Sequence, residues 1–111
     1  MARKIIFYKN HFLDFYQKQD KKVKGKIQYV LEIVKQVDRV PKKFMEHLTG
    51  TDGLYEVRVE FQSNIYRIFC CFDEGQLVIL FNGFQKKTQK TPKSELDKAV
   101  RLKKEYFKSK K

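Results

Sequence analysis

Apolar and polar positions along the chain fall into runs of two periods, one that suits strands and one that suits helices. Lys4 to Tyr8 (K-I-I-F-Y) is a short β-rich run closed by Lys9-Asn10, a turn or N-cap signal. From His11 the period becomes helical, with Phe12, Phe15 and Tyr16 at the 3,4 spacing. Asp20 breaks that segment and caps a second one, in which Val23, Ile27, Val30, Leu31 and Val34 form an apolar stripe with most lysines off it. The two segments predict a helical hairpin packed on a sheet, although Gly25 inside the second costs up to about 1 kcal/mol against Ala. Pro41 is expected to end the helical stretch, and Phe44 to Leu48 is short and ambiguous.

Three runs rich in β-branched and aromatic residues follow: Leu54 to Phe61, Ile65 to Phe72 and Leu77 to Phe84. Their connections, Gln62-Ser63-Asn64 and Asp73-Glu74-Gly75-Gln76, are too short for anything but an antiparallel meander. A polar, basic stretch leads to Pro92. Ser94 then reads as the cap of a last helix whose Leu96, Ala99, Val100, Lys103, Tyr106 and Phe107 share a face. The expected fold is α+β: a small antiparallel sheet in the order β-α-α-β-β-β-β-α, with an N-terminal helical hairpin and a C-terminal helix. Residues 1–111 fit one domain, being too few for two independent cores.

Strand alternation places Tyr55, Val57, Val59 and Phe61 on a core face and Glu56, Arg58 and Glu60 on the other. Tyr66, Ile68, Cys70 and Phe72 form the core face of the next strand. Any register that pairs these faces sets Arg67 beside Arg58 or Glu60. If Glu74-Gly75 is a two-residue turn, Phe72 lies opposite Leu77 and Arg67 opposite Asn82, and Val57, Val59, Ile68, Cys70, Ile79 and Phe81 share one core under the hairpin. Arg58, Glu60, Arg67 and Asn82 then cluster at one end of the second face, next to the segment Gln85 to Lys90 with Lys86, Lys87 and Lys90. Guanidinium groups in mid-strand suit bidentate phosphate contact. The alternative is a cross-strand ladder in which Glu56 and Glu60 neutralise Arg58 and Arg67, and the residues alone leave both open.

Charge sharpens this picture. The chain carries 25 Lys and Arg against 13 Asp and Glu, a net +12, distributed as eight basic and two acidic residues over 1–27, six and eight over 28–84, and eleven and three over 85–111. Basic ends point to a polyanion such as nucleic acid, against the alternatives of a solvated basic surface or an acidic protein partner. No run reaches the roughly 18 apolar residues of a membrane span, and no signal-peptide pattern opens the chain, so a cytoplasmic protein without membrane association is expected. Cys70 and Cys71 are strand neighbours that point to opposite faces, which excludes a mutual disulfide and suits a reducing compartment. Two distant histidines, His11 and His47, and two adjacent cysteines lack zinc-type spacing. No Gly-rich phosphate loop, nucleophile elbow or dinucleotide fingerprint is present, so neither a metal nor a small-molecule cofactor is expected.

Three segments carry a resemblance. G-L-Y-E-V-R (Gly53 to Arg58), I-Y-R-I-F (Ile65 to Phe69) and above all F-N-G-F-Q-K-K-T-Q-K-T-P (Phe81 to Pro92), followed by a basic C-terminal helix, resemble the RelE superfamily of type II toxins, specifically the HigB branch of phage-like members. The resemblance spans nearly the whole chain. It implies a RelE-like fold and a ribosome-dependent endoribonuclease, or mRNA interferase, that cuts mRNA in the A site and is restrained by a HigA-like helix-turn-helix antitoxin. Where many relatives have His before Gly-Phe, this chain has Asn82, which puts a proton-transfer role for that position in doubt. The implied reaction is metal-free attack of a 2′-hydroxyl on the adjacent phosphate, which requires proton removal, phosphorane stabilisation and leaving-group protonation. Arg67 is the expected phosphorane clamp and Lys87 the second essential cation. Arg58 and Lys86 support them, and Glu60 orients Arg67 or serves as base. Asn82, Lys86, Lys90, Lys103, Lys104 and Lys108, with Lys110 and Lys111, are the expected RNA-backbone contacts, a solvated tail being the alternative. A ParE-like toxin that binds DNA gyrase without cutting, and a plain basic RNA-binding adaptor, are the competing readings.

Overall fold

The computed structural model describes residues Ala2 to Lys110. Its elements are β1 (Lys4–Phe7), α1 (His11–Gln17), α2 (Lys21–Gln36), β2 (Met45–His47), β3 (Leu54–Phe61), β4 (Asn64–Asp73), β5 (Leu77–Lys86) and α3 (Lys93–Ser109), in the expected order. The strands form one sheet in the spatial order β1-β5-β4-β3-β2. It is antiparallel from β2 to β5, but β1 joins the far edge parallel to β5, so the expected antiparallel sheet is in fact mixed. The parallel pairing follows from the long connection through both helices, which returns the chain across the sheet.

Asp20 caps α2, its carboxylate accepting from the Val23 N–H at 3.0 Å. Val23, Ile27, Val30 and Val34 are buried and Leu31 packs beside them. The helix stops at Gln36, short of Pro41. Its end is satisfied instead by Arg3, whose guanidinium donates to the carbonyls of Val34, Val37 and Asp38 at 2.9, 2.5 and 2.6 Å. At the other end of the chain α3 begins at Lys93 with Pro92 in the cap position, so Ser94 lies inside the first turn and does not cap it. Ala99 and Leu102 are its buried residues; Leu102 belongs to the stripe three residues on from Ala99.

The β3–β4 register places Val57 opposite Ile68 and Arg58 opposite Arg67, as the alternation requires. The connection is a two-residue turn in which Gln62 and Ser63 both take positive φ, 48° and 69°. The next connection differs from the expected one. Asp73 pairs with Leu77 around the three residues Glu74, Gly75 and Gln76, with Gly75 at φ 63°. That one-residue slip moves Ile79 and Phe81 to the opposite face, where they pack under α3 with Leu54, Phe69, Cys71, Phe84, Ala99 and Leu102. Val57, Val59, Ile68 and Cys70 stay under the hairpin with Val78 and Leu80. A bulge then adds a second residue to the shift and restores the alternation of faces: Ile68 faces Gly83 and Cys70 faces Leu80, so Phe69 alone stands against Phe81 and Asn82. Two cores result, one on each face, and Cys70 and Cys71 are buried in different ones as free thiols. Gly83 permits the close approach of α1, since a Cβ there would lie 2.5 Å from the Phe15 ring.

Candidate functional site

Beyond the N-terminal end of α3, the second face of the sheet carries the arginines of β3 and β4. Glu56 binds them together: its Oε2 lies 3.3 Å from Arg58 Nε and 3.2 Å from Arg67 Nε. Glu46, opposite Glu56 on β2, takes Arg58 Nη1 at 3.0 Å. The ladder is thus realised with Glu56 and Glu46 as its acids. Glu60 is exposed and forms no ion pair among the described residues, although its charge favours the protonated form of Arg67. Arg67 is 2% exposed. Burial lowers its pKa from the ordinary value, and the Glu56 carboxylate opposes that shift. Its Nε–H is close to Glu56 without being aimed at it, and Nη1 donates to its neighbour's carbonyl, Tyr66 O, at 3.3 Å. The expectation of Arg67 on the polar face is corrected here: the side chain is buried, with Phe84 opposite it in the register and Phe69 two residues on along the same strand.

Asn82 is not opposite Arg67; Phe84 holds that place because the slip and the bulge together shift β5 by two residues. Asn82 is buried, and its Nδ2 donates at 3.0 Å both to Glu95 O and to Glu95 Oε1 in the first turn of α3. It therefore fastens the helix rather than lining the arginine cluster. Lys86 ends β5 opposite Ile65 and is half-buried, while Lys87 and Lys90 are exposed in the connection to α3. No acidic group pairs with these three among the described residues, so their charge faces solvent.

The α3 cations form a separate group. Lys104 and Lys108 are exposed, and Lys103 Nζ lies 5.1 Å from the Phe107 ring centroid. Lys110 is not a free tail residue: it pairs with Asp73, which also accepts from Tyr106 Oη at 2.6 Å. Those hydrogen bonds, Lys110 first, hold the Asp73 carboxyl down at about 2. Asp73 and Arg67 are six residues apart on β4, about 20 Å at strand rise, so the α3 tail and the arginine cluster occupy opposite ends of the sheet. Lys111 lies outside the described residues.

His47 packs edge-on against Tyr55 at 5.2 Å, and His11 opens α1, its pKa lowered by burial and then by Lys98 and Lys9. Neither belongs to the cluster. Among the described residues no group of three His, Cys, Asp or Glu side chains could hold a metal ion, and no helix is long and apolar enough to cross a membrane. The residue of the cluster that the pattern undervalued is Glu46, hidden in an ambiguous segment. Glu56 carried a visible signal, a carboxylate two residues from Arg58 on one strand face.

Comparisons with known proteins agree with this architecture. Residues 14–104 match the family model described as Phage derived protein Gp49-like (DUF891). No curated protein is similar enough in sequence to match. Among solved structures, a chain of the archaeal RelE-RelB complex from Pyrococcus horikoshii OT3 is 17% identical with a TM-score of 0.54, covering 75% of this chain and 93% of that one. A chain of the RelB-RelE antitoxin-toxin complex from Methanococcus jannaschii is 16% identical with a TM-score of 0.55, covering 78% and 99%. The likeness establishes a RelE-like fold.

Proposed function

The chain belongs to the phage-derived Gp49-like family, a family of RelE-like toxins, and from that premise we propose that it is a HigB-type mRNA interferase, acting on ribosome-bound mRNA and restrained by a HigA-like helix-turn-helix antitoxin. The observation that carries the reading is the facing pair Arg58 and Arg67, with the unpaired cations of Lys86, Lys87 and Lys90 close by in the chain that leaves β5. The proteins of the two similar complexes are toxins bound to their antitoxins, which supports an antitoxin partner here.

In the proposed reaction the 2′-oxygen attacks the adjacent phosphorus, its proton passes to a base, the bond to the 5′-oxygen breaks, and that oxygen takes a proton. The products are a 2′,3′-cyclic phosphate and a 5′-hydroxyl. Arg58, which keeps about a third of its side chain in solvent, and Lys87 contact the phosphate, and Arg67 adds fixed positive charge from beneath. Glu60, exposed beside Arg58 on the same strand face, is the carboxylate free to take the proton. Fixed cations stabilise the phosphorane without reorganising, and the ribosome supplies the positioning that the shallow face lacks.

The test is cleavage of end-labelled mRNA by the purified protein with and without programmed ribosomes. Cuts within translated codons and little cutting of free transcript are expected. Equal cleavage of naked RNA overturns the ribosome dependence. No cleavage together with loss of DNA supercoiling in induced cells favours the gyrase-binding reading.

A further inference from the structure

Arg58 faces a second feature, on the other side of the β3 edge. The short β2 reaches only to the Met45–Val57 pair, and the last backbone bond across that edge runs from Arg58 N to Phe44 O at 2.7 Å. Past it, this edge of β3 has no strand neighbour, and a cleft of about 390 Å³ opens between that edge and α2. Its walls are Lys26, Tyr29, Lys43, Phe44, Arg58 and Glu60. Tyr29 is 57% exposed, the most exposed of the large apolar and aromatic side chains among the described residues.

The lining repeats one pairing twice. Lys26 Nζ lies 5.1 Å from the Tyr29 ring centroid, and Lys43 Nζ lies 4.9 Å from the Phe44 ring centroid. Lys22, one turn before Lys26 on the same side of α2, and Lys42, beside Lys43, extend the positive charge outward from both walls. An aromatic face with a cation beside it offers a nucleobase a stacking surface and its phosphate a counter-charge, the combination by which single strands are held without sequence readout. An acidic peptide would use the lysines alone and leave the Tyr29 ring idle.

We infer that this cleft is a subsite for single-stranded RNA, in which a base stacks on Tyr29 while Lys26 and Lys43 hold adjoining phosphates. The inference rests on the reading of RNA as the substrate and adds to it a path: Arg58 is shared by the cleft and the Glu56 cluster, so a strand leaving the arginines passes round the open β3 edge into the cleft.

The probe is a short fluorescein-labelled 2′-O-methyl oligouridine, which cannot be cut by 2′-hydroxyl attack, followed by anisotropy against salt. Tyr29→Ala is expected to weaken binding about tenfold and Tyr29→Phe to leave it within about twofold. Lys26→Ala with Lys43→Ala lowers the slope of log K against log salt by about 1.4, two single-strand phosphate contacts. Unchanged thermal melting verifies that these substitutions leave the fold intact. Absence of oligouridine binding, or binding indifferent to Tyr29→Ala, overturns the subsite. So does a labelled oligoglutamate that binds through Lys26 and Lys43 while RNA binding ignores them. Cleavage on programmed ribosomes is scored separately: cutting without a Tyr29 effect removes the subsite alone, and Tyr29-dependent oligouridine binding without cutting keeps the subsite and removes the nuclease.

Discussion

The Glu56 carboxylate lies 3.2 Å from the Arg67 guanidinium, and both side chains are almost wholly withdrawn from solvent. Breaking such a pair from one side leaves a buried charge without compensation, which costs about 3–5 kcal/mol. Glu56→Gln is therefore expected to lower the urea midpoint strongly, and adding Arg67→Met to it to recover much of the loss, because the stranded cation is then gone. Equilibrium unfolding of the single and double variants measures this, and a double variant no more stable than Glu56→Gln would refute the buried-pair account.

The same pair shows what the sequence could and could not reveal. Arg58 facing Arg67 follows from the alternation of Leu54 to Phe61, in which polar and apolar positions exchange residue by residue. Arg67's burial does not, because alternation says which face a side chain takes and not what covers that face. In β5 the run L-V-I-L-F is apolar at every position, as expected of a strand buried on both sides, and it holds no clue to which residues face α3. The faces of Ile79 and Phe81 were decided by one residue of turn length at Glu74 to Gln76, and the place of Asn82 by the bulge that adds a second residue to that shift. The antiparallel hairpins were legible because their turns are local. The parallel docking of β1 on β5 joins residues more than seventy positions apart, and no short-range signal announces it.

Gly83 gives a packing prediction. A methyl group there meets the Phe15 ring at 2.5 to 2.9 Å, in a place where α1 and β5 leave no slack. Gly83→Ala is expected to destabilise by about 1–3 kcal/mol, the usual cost of overpacking. Phe15→Leu, itself a loss in the wild-type background, should restore part of that cost when combined with Gly83→Ala. Thermal melts of the four proteins test the compensation, and simple additivity would count against the contact.

The fastening of α3 to the β4–β5 turn gives a pH prediction. Asp73 is held at about 2 against an ordinary 3.8, so the folded state favours its charged form. Its contribution to stability is complete above pH 4 and disappears as pH falls through about 2. Tyr106, half-buried and donating to Asp73, is raised to about 12 from 10, so its contribution is complete below pH 10 and is lost as pH rises through 12. Melting temperature against pH should separate wild type from Asp73→Asn at neutral pH, with the two curves converging near pH 2. An equal gap at both ends of that range would exclude the carboxylate as its source.

Lys87 and the α3 tail should separate chemistry from grip. Lys87 is exposed and its removal opens no cavity, so Lys87→Ala is expected to change stability by no more than about 0.5 kcal/mol. In the proposed reaction it stabilises the phosphorane, and by analogy with lost oxyanion donors its removal lowers the cleavage rate on saturating programmed ribosomes by about 10²–10³. Lys104 and Lys108 stand on the C-terminal half of α3, toward the Asp73 end of β4 and away from the arginines, and can act on affinity without touching the reacting phosphate. Lys104→Ala with Lys108→Ala should weaken ribosome association, flatten its salt dependence by about one unit of slope per lost contact, and leave the saturated rate unchanged. These two positions are preferable to truncation after Phe107, which also removes Lys110 and with it the ion pair to Asp73. The measurement is rate against ribosome concentration at several salt concentrations. A saturated rate that falls for the tail variant, or holds for Lys87→Ala, would reverse the assignment of the two basic regions.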